Sequence, residues 1–342
     1  MNKPLAYVEK NTYGKIRLHA NESPYNNLPL LLKRAQSSLT SLRINEYPSL
    51  NATSIKEKLG RKLGLQPSSL IIGNGSDELI TLVMQSMCEP HDKVVTHAPT
   101  FSQYAWNASL LQLDLIEVKD KPGFEINVRG LIDACQSYSP KLLILCTPNN
   151  PTGSLLSKAQ LLEIIEQTSC FIMVDEAYFD FVDQDYQELV LSSSRMISLR
   201  TFSKAYGCAG IRFGYGIGQM EVIEKLNQSR QPYNVNAITQ VLAQVLLDEE
   251  ELIQNQVKQM LANKEKIIKV LKEIGCTLAP STANFIFFTH PHMDELESKL
   301  FDAGFAIKSF ASNPLTSGYA RMSIPDEDAC PMLIQALKGE HT

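Results

Sequence analysis

The 342-residue sequence contains no apolar stretch long and uncharged enough to span a bilayer, and Met1-Asn2-Lys3-Pro4 lacks the apolar core of a signal peptide. Neither insertion nor export is expected, and the cytoplasm is the expected compartment. Excess positive charge is also missing. Thirty-two Lys and Arg stand against 37 Asp and Glu, a net charge of −5 that predicts no electrostatic affinity for nucleic acid. Seven cysteines (88, 135, 146, 170, 208, 276 and 330) show no metal-ligand spacing, and the six histidines form no cluster with them. A zinc site is not expected, and the cysteines read as reduced, mostly buried residues of a cytosolic protein. Repeats, low-complexity tracts and obvious linkers are lacking too.

What is present is a chain 44% hydrophobic, enough for a large core and two structural domains. Lys141 to Cys146 is an apolar run ending in Thr147-Pro148-Asn149-Asn150-Pro151-Thr152-Gly153, and Cys170 to Val174 is another, ending at Asp175. A third, from Met196, leads through Thr201-Phe202-Ser203 to Lys204. Short apolar runs separated by helical stretches read as buried parallel strands, and Ser157 with Gln160 offers a capping box for the helix between the first two. In an open parallel sheet ligands bind outside the carboxyl ends of the strands, so Asn150, Asp175 and Lys204 should converge there.

Each residue alone has an ordinary reading: a solvated surface lysine, an aspartate capping a turn, an asparagine in a loop. Together they suit one chemistry. A lysine at a strand end can hold an aldehyde cofactor as an imine, and an aspartate on the neighbouring strand can keep that cofactor's ring nitrogen protonated. A separate anion site is signalled by Gly73-Asn74-Gly75-Ser76-Asp77-Glu78, which leads into the apolar-periodic Leu79 to Met87. Glycines there expose the free amides of a helix N-terminus. The Gly-x-Gly lacks the third glycine of a dinucleotide fingerprint. A plain N-cap would use the same geometry.

Asn-Asn-Pro-Thr-Gly, Asp-Glu-Ala-Tyr (175–178) and Ser203-Lys204 followed by Ala209-Gly210-Ile211-Arg212 occur in one order and spacing. In this the chain resembles fold-type I pyridoxal-phosphate enzymes, and among them the histidinol-phosphate aminotransferase family, from about His19 to Ile324. The resemblance implies an α/β fold, with a three-layer large domain on a mostly parallel sheet and a small α+β domain. It implies a homodimer that uses pyridoxal 5′-phosphate, an amino donor and a 2-oxo acid acceptor, the pair being histidinol phosphate and 2-oxoglutarate in histidine biosynthesis.

Residue by residue, the resemblance assigns Lys204 to the cofactor aldehyde and to proton transfer, and Asp175 to the ring nitrogen. Asn150 and Tyr178 fall to the ring's phenolic oxygen. Phe101, more often a core residue in such a place, falls to the ring face. The phosphate would meet the Ser76 and Asp77 amides beside Gly75, with the Asp77 carboxylate turned away as a cap, together with Ser203, Arg212 and, as an extra donor, Thr201. Tyr47, locally just a turn aromatic before Pro48, would reach the partner's cofactor phosphate. Arg321, otherwise an edge-strand surface residue, would grip the substrate carboxylate. Two substrate positions depart from the family: Lys308 stands where an arginine is common, and Ser23 where some members have tyrosine. Ser323-Ile324-Pro325-Asp326 also replaces the usual glycine-threonine turn.

Residues up to about 20 read as a polar arm, and His19 to Tyr25 as a loop at the site entrance. The expected organisation is 1–40 as arm and part of the small domain, 41–248 as the cofactor domain, and 249–342 as a bridging helix and small domain. Helices are expected at about 249–274, 293–303 and 326–338, with strands at Asn284–Phe288 and Tyr319–Ser323. The role of Tyr233 to Asn236 is open. An aromatic or other amino-acid aminotransferase, or a phospho-amino-acid decarboxylase, would retain every cofactor residue. A cofactor-sensing regulator would need a DNA-binding segment, for which there is no room before His19 and no basic face.

Overall fold

The computed structural model describes residues 12–310 and 313–339. Among the described residues thirteen strands form three sheets: β1 (Ile16–Arg17), β2 (Leu70–Gly73), β3 (Lys93–Ala98), β4 (Asp114–Lys119), β5 (Leu142–Cys146), β6 (Phe171–Asp175), β7 (Met196–Thr201), β8 (Gly214–Gly218), β9 (Thr277–Leu278), β10 (Phe285–Thr289), β11 (Phe305–Ala306), β12 (Lys308–Ser309) and β13 (Tyr319–Ser323). Seven of them make one sheet in the order β2-β8-β7-β6-β5-β3-β4. Neighbours from β4 to β7 are parallel, and β8 runs against both β7 and β2.

The central strands are apolar on both faces because helices cover both. Leu142, Ile144 and Cys146 of β5 share a core with Leu79, Ile80 and Val83 of the helix Ser76–Met87. Leu143 and Leu145 face Leu131 and Ile132 of the helix Val128–Tyr138, and Leu161 and Ile164 of Lys158–Gln167. That last helix starts with the expected reciprocal cap. Ser157 Oγ accepts from Gln160 N at 3.2 Å and Gln160 Oε1 accepts from Ser157 N at 2.8 Å.

The helix Glu250–Glu273 is 24 residues long, roughly 36 Å, and leads to the antiparallel sheet β12-β13-β10-β9. Buried Lys264 on this helix donates to the Ser281 and Ala283 carbonyls at 2.6 and 2.7 Å. The first eleven residues of the expected arm lie outside the described residues, and its end forms a short strand. Ile16 and Arg17 pair in parallel with Phe305 and Ala306, because the Ile16 and Leu18 amides find carbonyls at Gly304 and Ala306.

Candidate functional site

The parallel strands all end at one edge of the large sheet, and their loops carry the candidate residues. β6 ends at Asp175 and its neighbour β7 leads to Lys204, while β5 lies on its other side with Cys146 beside Asp175 in register. Asp175 is 2% exposed. Its Oδ2 accepts from the Tyr104 hydroxyl at 2.6 Å and its Oδ1 from the Ala177 amide at 3.1 Å. Burial lifts its pKa to about 6, against the opposing pull of these donors.

Lys204 is half-buried, with Nζ 3.4 Å from the Ala20 carbonyl and 5.6 Å from the centre of the Tyr178 ring. Withdrawal from water, reinforced by the Arg321 guanidinium, lowers its pKa to about 8. An amine so tuned is partly uncharged near neutral pH and can act as a nucleophile or base. Tyr178 is buried, and its hydroxyl accepts from Asn21 Nδ2 at 2.9 Å, which leaves its own hydrogen available for donation.

The two asparagines of Asn149-Asn150 divide their work. Asn149 is wholly buried, takes a hydrogen bond from Thr100 Oγ1 and gives others to the Pro99 carbonyl and Thr152 Oγ1, each 2.8 Å, tying this loop to the one bearing Phe101. Asn150 Oδ1 accepts from Arg321 Nη1. Arg321 also donates from Nη2 to the His19 carbonyl at 2.8 Å and lies 5.6 and 5.8 Å from the Phe285 and Phe310 ring centres. Thus the small sheet delivers a guanidinium to the edge of the large one.

At the candidate anion site, Gly75 (φ +81°) precedes the first turn of the helix Ser76–Met87. The Arg212 guanidinium lies so close that a Cβ on Gly75 would come within 2.6 Å of Nη2. Arg212 also reaches Ser203 Oγ at 3.5 Å. Two expectations are corrected here. The Asp77 carboxylate is not turned away: it accepts from Arg212 Nη2 at 2.8 Å, the charge partner nearest to hand, while Glu78 caps the Asn74 amide instead. The Thr201 hydroxyl is engaged internally, 3.0 Å from Ser203 Oγ and 3.3 Å from the Phe213 carbonyl, so it is no spare donor.

The glycine cradle, an arginine beside exposed helix amides, a lowered-pKa lysine and a buried carboxylate together make a donor set that fits pyridoxal phosphate: anion donors at one end, an amine and an acid at the other.

Phe101 packs edge-on to Tyr104, centroids 5.7 Å apart at 89°. Ser23 lines an open cavity of about 700 Å³ with Ser203, Tyr25 and Asp326. Lys308 is exposed on β12 directly opposite Arg321 of β13, hence on the same face of the small sheet. Tyr47 is apart from this group, 81% exposed and stacked on Tyr233 at 4.6 Å. Asn234, beside Tyr233, donates to the Ile72 carbonyl (3.1 Å) and to Glu78 (3.0 Å), and so braces the start of the helix Ser76–Met87. Asn236 caps the helix Ala237–Leu246.

Sequence reasoning missed Tyr104 and Asn21 as site residues. Asn21 lies in the loop read as the site entrance and adopts φ +54°, which asparagine tolerates better than most residues. Among the described residues no group of His, Cys, Asp and Glu could hold a metal ion.

Comparison with known proteins agrees with this architecture. The chain is 32% identical over 333 residues to a histidinol-phosphate aminotransferase of Caldanaerobacter subterraneus, covering 97% of this chain and 95% of that one. The crystal structure of the Sinorhizobium meliloti histidinol-phosphate aminotransferase in complex with pyridoxal-5′-phosphate superimposes with a TM-score of 0.87 at 22% identity, over 95% of this chain and 91% of that one. An L-threonine-O-3-phosphate decarboxylase from Porphyromonas gingivalis gives 0.81 at 19% identity, covering 95% and 98%. The two structural likenesses show the fold-type I architecture. The family pattern of aminotransferase class I and II runs from residue 13 to 337, and the chain belongs to that family.

Proposed function

We propose that this chain is a pyridoxal-phosphate-dependent aminotransferase that takes the amino group of histidinol phosphate and passes it to 2-oxoglutarate, in the cytoplasm, as a step of histidine biosynthesis. The observation that supports the reaction class is the grouping of Lys204, Asp175, Arg212 and Arg321 at one sheet edge. The substrate reading rests on the histidinol-phosphate aminotransferase 32% identical across nearly the whole chain.

When bound, pyridoxal phosphate supplies an electron sink for the bonds at the substrate's Cα. The chain's residues do the rest. Arg212, Ser203 and the Ser76 and Asp77 amides would hold the phosphate, and Arg212 would then be shared between it and the Asp77 carboxylate. Asp175 would keep a proton on the ring nitrogen, Tyr178 with Asn150 would donate to the phenolic oxygen, and Phe101 would cover the ring face. Lys204, its pKa lowered to about 8, would serve as the base that takes the proton from the substrate's Cα.

The Arg321 fork grips the carboxylate of glutamate or 2-oxoglutarate and so orients the Cα–H bond toward Lys204. On the same sheet face, Lys308 neutralises the distal phosphate of histidinol phosphate, with Ser23 at the cavity wall. The exposed Tyr47 fits a residue offered to a second copy, completing that copy's phosphate site in a homodimer.

The test is spectroscopic. Purified protein should be yellow, borohydride should fix the cofactor on Lys204, and half-reactions with a panel of amino donors should favour histidinol phosphate. Lys204→Ala should still bind cofactor through the phosphate while losing turnover by several orders of magnitude. Protein that takes up no pyridoxal phosphate refutes the reading. A preference for phenylalanine or tyrosine moves it to an aromatic aminotransferase, and release of carbon dioxide from a phospho-amino acid moves it to a decarboxylase.

A further inference from the structure

The Asp175 carboxylate sits in a closed setting. Tyr104 approaches it from the helix Gln103–Leu110, Cys146 from β5, and Lys204 and Asp77 act on it from the β7 loop and the helix Ser76–Met87. Tyr104 is fully buried, and its ring belongs to the core that also holds Ile144, Cys146 and Met173. Such packing fixes the ring and places its hydroxyl between Asp175 Oδ2 and the Cys146 thiol, with the carboxylate the stronger acceptor. A carboxylate is only an acceptor, which makes Tyr104 the donor in the 2.6 Å contact with Oδ2. Burial and the neighbouring Asp175 charge push the phenol well above its ordinary pKa, so it keeps that hydrogen at all working pH values. The Ala177 amide holds Oδ1, and the two donors together fix the plane of the carboxylate.

We infer that Tyr104 is a positioning residue for the transamination proposed above: its hydroxyl holds Asp175 as an aimed carboxylate, so that the proton shared with the cofactor resides on the ring nitrogen. The inference rests on that functional reading. Its physical content is a competition for one proton. Burial alone favours a neutral acid at position 175, which would leave the ring nitrogen unprotonated and a poorer electron sink. A short hydrogen bond from a neutral donor favours the ionised carboxylate and shifts the proton to the ring. The same residue meets Phe101 edge-on, so one side chain orients both the acid under the ring nitrogen and the aromatic ring proposed for its face.

Tyr104→Phe removes the hydroxyl and keeps the ring. The measurement is the ¹⁵N resonance of pyridoxal phosphate labelled at the ring nitrogen and bound to the purified protein at pH 7.5. In wild type the signal should lie at the protonated position, and in Tyr104→Phe it should move toward that of an unprotonated pyridine. Cofactor affinity should stay within about threefold, because the phosphate contacts are untouched, while the first-order half-reaction with glutamate slows by about ten- to a hundredfold, the worth of one hydrogen bond to a charged group. In an Asp175→Asn background, Tyr104→Phe should cause no further loss, a result that a merely structural tyrosine would not give.

An unmoved ¹⁵N signal in Tyr104→Phe, with the half-reaction slowed less than about twofold, overturns the inference alone. Should the variant not fold, the wild type decides: an unprotonated ring nitrogen at pH 7.5 overturns it. A wild type that binds no cofactor overturns the functional reading, and this inference with it.

Discussion

Substituting Gly214 tests how closely the anion cradle is built. Gly214 opens β8 between the end of β2, where it pairs with Gly73, and the end of β7, where it pairs with Thr201. A Cβ there would lie 2.5 Å from both Gly75 C and Ser76 N. That is roughly 1 Å inside ordinary van der Waals separation, and the atoms met are backbone, so no rotamer change relieves the clash. Gly214→Ala must therefore push the first turn of the helix Ser76–Met87 away from Arg212 and Ser203, or push β8 away from it. Overpacking of this kind costs about 1–3 kcal/mol of stability. Displacing one charge-assisted phosphate contact costs about 1.5–3 kcal/mol of binding. Pyridoxal phosphate should bind Gly214→Ala roughly ten- to a hundredfold more weakly, whereas pyridoxal, which lacks the phosphate, should lose less than about twofold. Absorbance titration of the cofactor-free protein with both compounds measures this, with circular dichroism as the check on folding. Undiminished affinity for pyridoxal phosphate, or equal losses for both, would refute the assignment of this helix terminus to the phosphate.

Three other outcomes are expected. Because the Lys204 pKa is lowered from 10.5 to about 8, the unfolded chain binds the extra proton between those values, so this residue makes the cofactor-free protein more stable as pH rises through that window. Urea midpoints from pH 7.5 to 10 should accordingly rise less steeply for Lys204→Met, and parallel profiles would contradict the shift. Arg200, 1% exposed, holds Glu176 through two 3.2 Å hydrogen bonds and lies 3.8 Å from the Phe179 ring centre; Arg200→Met should cost about 3–5 kcal/mol in urea unfolding because Glu176 stays buried without its cation, and adding Glu176→Gln should recover part of it. Lys308→Ala should lower kcat/KM for histidinol phosphate by roughly ten- to a hundredfold and for glutamate by less, and equal losses would remove Lys308 as a phosphate-selective residue.

The sequence by itself determined the sheet-edge part of the site. Asn150, Asp175 and Lys204 follow short apolar runs, and a buried parallel strand announces itself by such a run, with its loop starting where the polar residues begin. Gly73 to Glu78 was legible for the same local reason, since glycines followed by helical periodicity expose a helix N-terminus. Local chemistry ended there. That Tyr104 holds Asp175 depends on how a two-turn helix docks on a strand 71 residues away, and an isolated tyrosine near Phe101 carries no mark of it. That Asn21 reaches Tyr178, or Arg321 reaches Asn150 across 171 residues, follows from the small sheet packing on the large one. The Asp77 carboxylate was misread for a related reason: its choice between capping its own helix and meeting Arg212 rests on the φ +53° turn that brings that guanidinium back over Gly75. Backbone periodicity is written in neighbouring residues, but the partner of a buried polar group is whichever donor the tertiary packing brings within 3 Å, and only the folded chain decides that.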